Sequence, residues 1–167
     1  MFTDSHCHLN YPELSANIST IRVAMQEANV TRALIISTKI ETFDDVHALA
    51  MEYDNFWCTV GVHPDEEGVL EPSFDELVAL SKRPRVVGIG ETGLDYYRMG
   101  ERSDLDMEWQ RERFRRHIRV ARACHLPLVI HTRNSSEDTL RILKEEGEDG
   151  SLGSVEGSFT ALLKMSM

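Results

Sequence analysis

His6 and His8 lie one residue apart in the run Asp4-Ser-His-Cys-His8. Two side chains at alternate positions of an extended chain project from the same face. Two imidazoles side by side make half of a metal site, because neutral imidazole is the commonest protein ligand for zinc-like ions. A bare His-x-His is a weak signal, and the rest of the chain gives it weight. His63 stands in Gly-Val-His-Pro, Glu91 in Gly-Ile-Gly-Glu-Thr-Gly-Leu-Asp-Tyr-Tyr, and His131 in Val-Ile-His-Thr-Arg. Each follows a short apolar run. Three imidazoles and a carboxylate suit zinc, manganese or similar divalent ions. A carboxylate has two oxygens and can join two cations, and paired cations activate water and stabilise both oxygens of a phosphodiester displacement. His6, His8, Glu91 and His131 are therefore the candidate metal ligands, with Glu91 also the candidate catalytic group. Arg133 is a candidate phosphate contact, since its planar fork matches phosphate oxygens. Tyr96, beside Tyr97, offers a ring to stack on a base. His63 is grouped with them as a substrate contact.

Positioning such residues requires strands that end on one face. Apolar runs of strand length fall at 1–5, 31–37, 55–62, 86–90 and 127–130. Between them, helical periodicity predicts helices over 15–29, 40–53, 73–82, 106–125 and 138–146. Ser73 with Glu76 three residues later forms a capping-box pattern. Short continuous apolar strands alternating with amphipathic helices predict a parallel α/β arrangement covered on both faces. In that arrangement the C-terminal strand ends share one face, where ligands and catalytic groups gather. Gly90 and Gly93 flank Glu91 and Thr92 and allow close approach there. Asp4 shares the face of His6, and Asp95 is placed to orient a ligand or water. Cys7 is expected to pack on the opposite face, with Cys58 and Cys124 as core thiols. His47, His117 and His125 are expected at the surface or as helix caps. The Arg-rich helix around Arg111, Arg113, Arg115 and Arg116 is expected to be a solvated, salt-bridged face.

Composition narrows the function classes. The chain has 167 residues, 41% apolar and 28% charged, enough for one domain with its own core. A formal charge of −10 argues against gripping nucleic acid by a broad basic surface. It leaves room for an enzyme that holds phosphate through bound cations. Three scattered cysteines form neither a disulfide framework nor a metal knuckle, which points to a reducing cytoplasm. The first residues lack the basic and apolar regions of a signal peptide, and no apolar run reaches membrane-spanning length.

Taken together, Asp4 to Leu9, Gly61 to Pro64, Gly88 to Tyr97 and Leu128 to Arg133 resemble successive motifs of the TatD-type metal-dependent deoxyribonucleases, within the amidohydrolase-like superfamily. The resemblance runs over residues 1–146. It implies a (β/α)8 TIM-type barrel, incomplete here with about five βα units, a centre of two divalent cations (zinc, magnesium or manganese), and hydrolysis of single-stranded DNA from the 3′ end. It implies His6, His8, Glu91 and His131 as ligands, Glu91 shared between two ions. Two readings stand beside it: an amidohydrolase-like activity on a carbonyl or ester, and an inactive metal-binding fragment.

Residues 147–167 depart from the pattern. Family members continue for about three more βα units, bringing a histidine in Gly-Val-(Leu/Phe)-His-Cys-Phe-Thr and an aspartate in Glu-Thr-Asp-Ser-Pro. Neither motif occurs here. Read one base earlier, the codons of Glu156 to Met165 permit Gly-Val-Phe-His-Cys-Phe-Thr-Glu-Asp. The expectation is a frameshifted, irregular tail after residue 146. Five strands alone leave open edges and uncovered apolar faces, so a marginally stable chain is also expected.

Overall fold

The computed structural model describes residues 1–97, 102–147 and 164–165. Strands and helices alternate along them. They are β1 (Phe2–Cys7), α1 (Pro12–Ser15), α2 (Ile18–Glu27), β2 (Val30–Ile35), α3 (Phe43–Glu52), β3 (Phe56–Val60), α4 (Phe74–Ser81), β4 (Val86–Asp95), a 3-10 turn (Asp104–Met107), α5 (Glu108–Cys124), β5 (Leu128–Arg133), α6 (Ser136–Glu146) and β6 (Lys164–Met165). All neighbouring strands pair in parallel, in the order β1-β2-β3-β4-β5-β6. No strand is skipped and the order never reverses. That is the wall of a (β/α)8 barrel and not a doubly wound sheet, whose order turns back at a switch point. Five strands form this arc as expected, and two residues of a sixth extend it.

The core lies between the sheet and its helices. Phe56, Cys58 and Val60 alternate along β3, each 0% exposed, and meet Phe43 and Val46 of α3, Leu77 of α4 and Phe114 and Ile118 of α5. The period of two on the strand and of three to four on the helices brings these faces together. Ser73 caps α4 as its spacing predicts: its hydroxyl accepts from the Glu76 amide at 3.1 Å.

Three elements differ from the sequence reading. The helix predicted over 15–29 is shorter, Ile18–Glu27, and a separate short helix, α1, precedes it in the stretch read as a loop, where Pro12 takes a first-turn position that needs no amide donor. Of its predicted apolar face Ile18 is buried, Ile21 and Met25 are half-buried, and Ala24 and Ala28 are exposed. The cause is position: α2 packs on β2 beside the edge strand β1 and is covered from one side. Secondly, β4 and β5 run on past their predicted ends, so Glu91 and His131 sit within strands. Thirdly, α5 is not a solvated face throughout, since Arg111 and Arg113 are buried. The open wall exposes apolar residues as expected, with Phe2 66% and Val87 38% accessible. The tail reading concerns residues outside the described ones, apart from Gly147 and the 164–165 pair.

Candidate metal centre

Glu91 enters the centre through an irregularity of β4. Pairing between β4 and β5 shifts register between Ile89 and Thr92. The Glu91 amide bonds instead to the Ser37 carbonyl at 2.8 Å. Gly90 and Gly93 hold φ of 143° and 131°, a region L side chains rarely adopt. A Cβ on Gly93 would collide with the His131 carbonyl oxygen. The two glycines therefore let β4 bulge against β5 and turn the Glu91 carboxylate inward.

The carboxylate is divided between two imidazole pairs. Its Oε2 lies 3.2 Å from His6 Nε2 and 3.8 Å from His8 Nε2. Its Oε1 lies 3.3 Å from His131 Nδ1 and 3.9 Å from His63 Nε2. His6, His8 and Glu91 thus form one group with donor atoms at metal-binding spacing, and His63, Glu91 and His131 form another. Both ring nitrogens of His6 are buried without a hydrogen-bond partner. A desolvated imidazole facing a carboxylate in that way has its lone pair available for a cation.

Neighbouring contacts set the tautomers. His8 Nδ1 is 3.1 Å from the Ile36 carbonyl, so it carries the proton and leaves Nε2 as the donor toward Glu91. His131 Nε2 donates to Asp95 Oδ2 at 2.9 Å, which points its Nδ1 at Glu91. Asp95 is itself held by the Tyr97 amide at 2.9 Å and, through its own backbone, by Gln110. His63 is opposite in sense. Its Nδ1 accepts from the Asp65 amide at 3.1 Å, so Nε2 carries the proton. Asp95→Asn is expected to weaken metal binding by ~10–100-fold, the usual effect of losing a carboxylate behind a ligating histidine. Titration calorimetry with zinc or manganese reads it.

The charges agree with a cation site. Burial acts to raise the Glu91 carboxyl, but the imidazoles of His131, His6 and His63 against it outweigh burial and hold it well below the usual carboxylate range. Burial likewise opposes a proton on His131, yet Glu91 and Asp95 together raise it above the usual histidine value. His63 falls to about 4, by burial first, with Glu91 opposing and His131 assisting. Cys7 is pushed up to about 12, by burial and then by Asp4, which removes it as a nucleophile.

The loop after β3 carries His63 and is fastened from α5. Arg113, 1% exposed, donates to the carbonyls of His63 at 2.7 Å and Glu66 at 2.8 Å, and to Glu71. His117, one turn further and 0% exposed, accepts from the Val62 amide at 3.1 Å through Nε2 and donates from Nδ1 to the Arg113 carbonyl at 2.8 Å. Its ring must be neutral, because a second proton would face an amide hydrogen. Burial accordingly lowers it to about 4, against 6.5 when unperturbed. The unfolded chain then binds more protons between those values, so stability falls as pH drops through the window. At ~1.4 kcal/mol per unit this is about 3 kcal/mol. Urea unfolding at pH 7 and pH 4 should show a loss in the parent that is smaller by about 3 kcal/mol in His117→Gln, the similarly lowered His63 keeping its own share.

These helix residues were missed by sequence reading, which expected His47 and His117 at the surface or as helix caps. His47 is also buried, with Nε2 2.9 Å from the Pro84 carbonyl and Nδ1 accepting from Arg83. His125 caps α5 in the left-handed region, as expected. Asp4 accepts from the His6 amide and not its ring. The signal for Arg113 and His117 was their i,i+4 spacing beside Phe114 and Ile118.

A cleft of about 560 Å³ opens over the centre, and its walls include His8, Tyr11, His63, Glu91, His131 and Arg133. Asp65, Glu66 and Asp95 add acidic groups that sequence reading did not place there or gave only a general role. Tyr96 is absent from it. Its hydroxyl donates to Asp138 at 2.7 Å and accepts from Arg111 at 3.0 Å, which ties it into a strand–helix network.

Comparison with known proteins agrees with this arrangement. The model of the TatD related DNase family matches residues 3–165. A metal-dependent hydrolase of Buchnera aphidicola is 34% identical over 97% of this chain and 65% of its own length. The metal-dependent hydrolase YabD of Bacillus subtilis is 32% identical over 96% of this chain and 61% of its own. The human deoxyribonuclease TATDN3 is 26% identical over 87% and 57%. Among solved structures, the TatD homologue YjjV of Escherichia coli superposes with a TM-score of 0.77 at 29% identity, over 87% of this chain and 56% of that one. The chain therefore spans about half to two thirds of the length of the relatives it matches, and it belongs to the TatD related DNase family.

Proposed function

We propose that the chain is the metal-binding part of a hydrolase that cleaves phosphodiester bonds of DNA, taking a single strand from its 3′ end. The observation that carries this reading is Glu91, whose two oxygens face two separate imidazole pairs. The donors fit one divalent cation on each side: His6 and His8 with Oε2, His131 with Oε1. When bound, such ions lower the pKa of water and take up charge on phosphate oxygens. His63 carries its proton on Nε2, 3.2 Å from His131 Nδ1, so once a cation takes up His131 Nδ1 that proton is placed to be donated to a substrate oxygen. The Arg133 guanidinium carbon sits over the Tyr97 ring, 3.5 Å from its centroid. The stack leaves the edge of the guanidinium for a phosphate. The remaining lining is acidic, so a polyanion enters only with the cations in place. The human relative's name, a deoxyribonuclease, supports DNA as the substrate. Three free thiols suit a reducing cytoplasm. No helix among the described residues is long and apolar enough to cross a membrane.

The test is cleavage of a 5′-labelled single-stranded oligonucleotide with zinc, manganese or magnesium added separately. A ladder shortening from the 3′ end is expected, lost by at least ~100-fold in His6→Ala, on the scale of a missing group that stabilises charge. Cleavage of circular single strands would sink the exonuclease reading. Metal uptake without turnover would leave a metal-binding protein.

A further inference from the structure

Tyr11 walls the cleft on the β1 side, and neither the metal ligands nor the phosphate contacts above call on it. Its ring lies parallel to the His8 imidazole, with centroids 5.2 Å apart and planes 11° apart. The residue is 39% exposed. One face of the ring is therefore seated on His8 while the other is open to the cleft.

The backbone fixes the ring's position. Tyr11 is the residue before α1, with Pro12 at the first helical position. Its amide donates to the His8 carbonyl at 3.1 Å, and its own carbonyl accepts from Leu14 at 2.9 Å and Ser15 at 2.8 Å. A ring held this way loses little freedom on meeting a ligand. An aromatic face fixed behind and open in front is a stacking platform for a planar group.

The position of Arg133 says what else the ligand must carry. Tyr11 follows β1 and Arg133 ends β5, and the histidines of these two strands face opposite oxygens of Glu91, so the two residues flank the centre from different sides. A ligand spanning them has a flat ring at one end and an anionic group over the centre. The volume of about 560 Å³ lies within the ~300–1,000 Å³ typical of small-ligand clefts.

We propose that Tyr11 is the stacking platform for the nucleobase beside the scissile phosphate. The proposal rests on reading the cleft as a nucleotide-cleaving centre, and it narrows the substrate from phosphodiesters in general to those bearing a base at that position. The base lies on the free face of Tyr11, and the sugar–phosphate runs from there over Glu91 toward Arg133.

The experiment compares binding of two fluorescein-labelled phosphorothioate oligothymidylates to the whole chain with manganese, one with a terminal base and one abasic at its 3′ end. Wild type is expected to bind the base-bearing probe about tenfold more tightly, as stacking of one base on an aromatic ring provides. Tyr11→Ala should lose this preference, and Tyr11→Phe and Tyr11→Trp should keep it. Equal weakening of both probes in Tyr11→Ala would show a support for His8 only and overturn the proposal. A preference that survives in Tyr11→Ala, or wild type that binds neither probe or both alike, would overturn it too. Base-selective binding without cleavage of the unmodified oligonucleotide would uphold the subsite and reject the hydrolase reading instead.

Discussion

Glu91→Gln is expected to remove metal binding on both sides of the centre at once. The amide keeps the size of the carboxylate, but it offers one acceptor oxygen and turns two N–H donors toward the second imidazole pair. Glu91 is the carboxylate that both histidine groups share, with Oε2 toward His6 and His8 and Oε1 toward His63 and His131. Metal affinity should fall by at least ~100-fold at each position, and hydrolysis by ~1,000-fold or more, the scale of a lost charge-stabilising group in a closed site. Competition titration with a chromogenic chelator, counting ions per chain, is the direct measurement. Loss of one ion with the other unchanged would mean that Glu91 serves one side alone. Circular dichroism of the variant confirms that the sheet persists, since His131 keeps its bond to Asp95 and His8 its bond to Ile36.

Arg113→Ala carries the largest expected cost in stability. The guanidinium is 1% exposed and satisfies the carbonyls of His63 and Glu66 together with the Glu71 carboxylate. It also stacks 4.9 Å from the centroid of Trp109. Removing it leaves three acceptors and a void behind the loop, about 3–5 kcal/mol by analogy with broken buried pairs. Urea unfolding monitored by tryptophan fluorescence reads the shift. Glu71→Gln makes the informative contrast. Glu71 is 40% exposed and an amide oxygen still accepts from Arg113, so a loss under ~1 kcal/mol is expected. If both variants lose the same amount, the ion pair and not the carbonyl contacts fastens the loop. Arg113→Lys should fall between them, because an ammonium cannot reach two carbonyls and a carboxylate in one plane.

Much of this molecule could be read without coordinates, and the reasons are local. His6-x-His8 on an extended segment, a carboxylate after an apolar run and a histidine after another state both the donor chemistry and the strand end that carries it. Ser73 with Glu76 states a helix start, and the structure has it there. Alternation of apolar strands and amphipathic helices states a parallel α/β arrangement, since each strand must be covered on both faces. Such statements depend on residue type and on spacing within one element.

What the tertiary structure decided is which atom faces which. Nothing in the spacing says that Asp95 turns His131 so that Nδ1 meets Glu91, or that the Asp65 amide leaves the His63 proton on Nε2. Nor does helical periodicity reveal that Arg113 and His117 are buried. Polar groups on α5 read as solvated until the loop after β3 lies over them and supplies the carbonyls and amide that satisfy them. Tyr96 offered the same ring as Tyr11 to a substrate, yet Arg111 and Asp138 claim its hydroxyl while Tyr11 stays open to the cleft. By itself the sequence determined the kinds of donors and the elements that bear them. The orientation of each donor, and the partner that makes its burial affordable, arose only when residues distant in the chain packed together, because a desolvated polar group is stable only where another chain segment completes its hydrogen bonds.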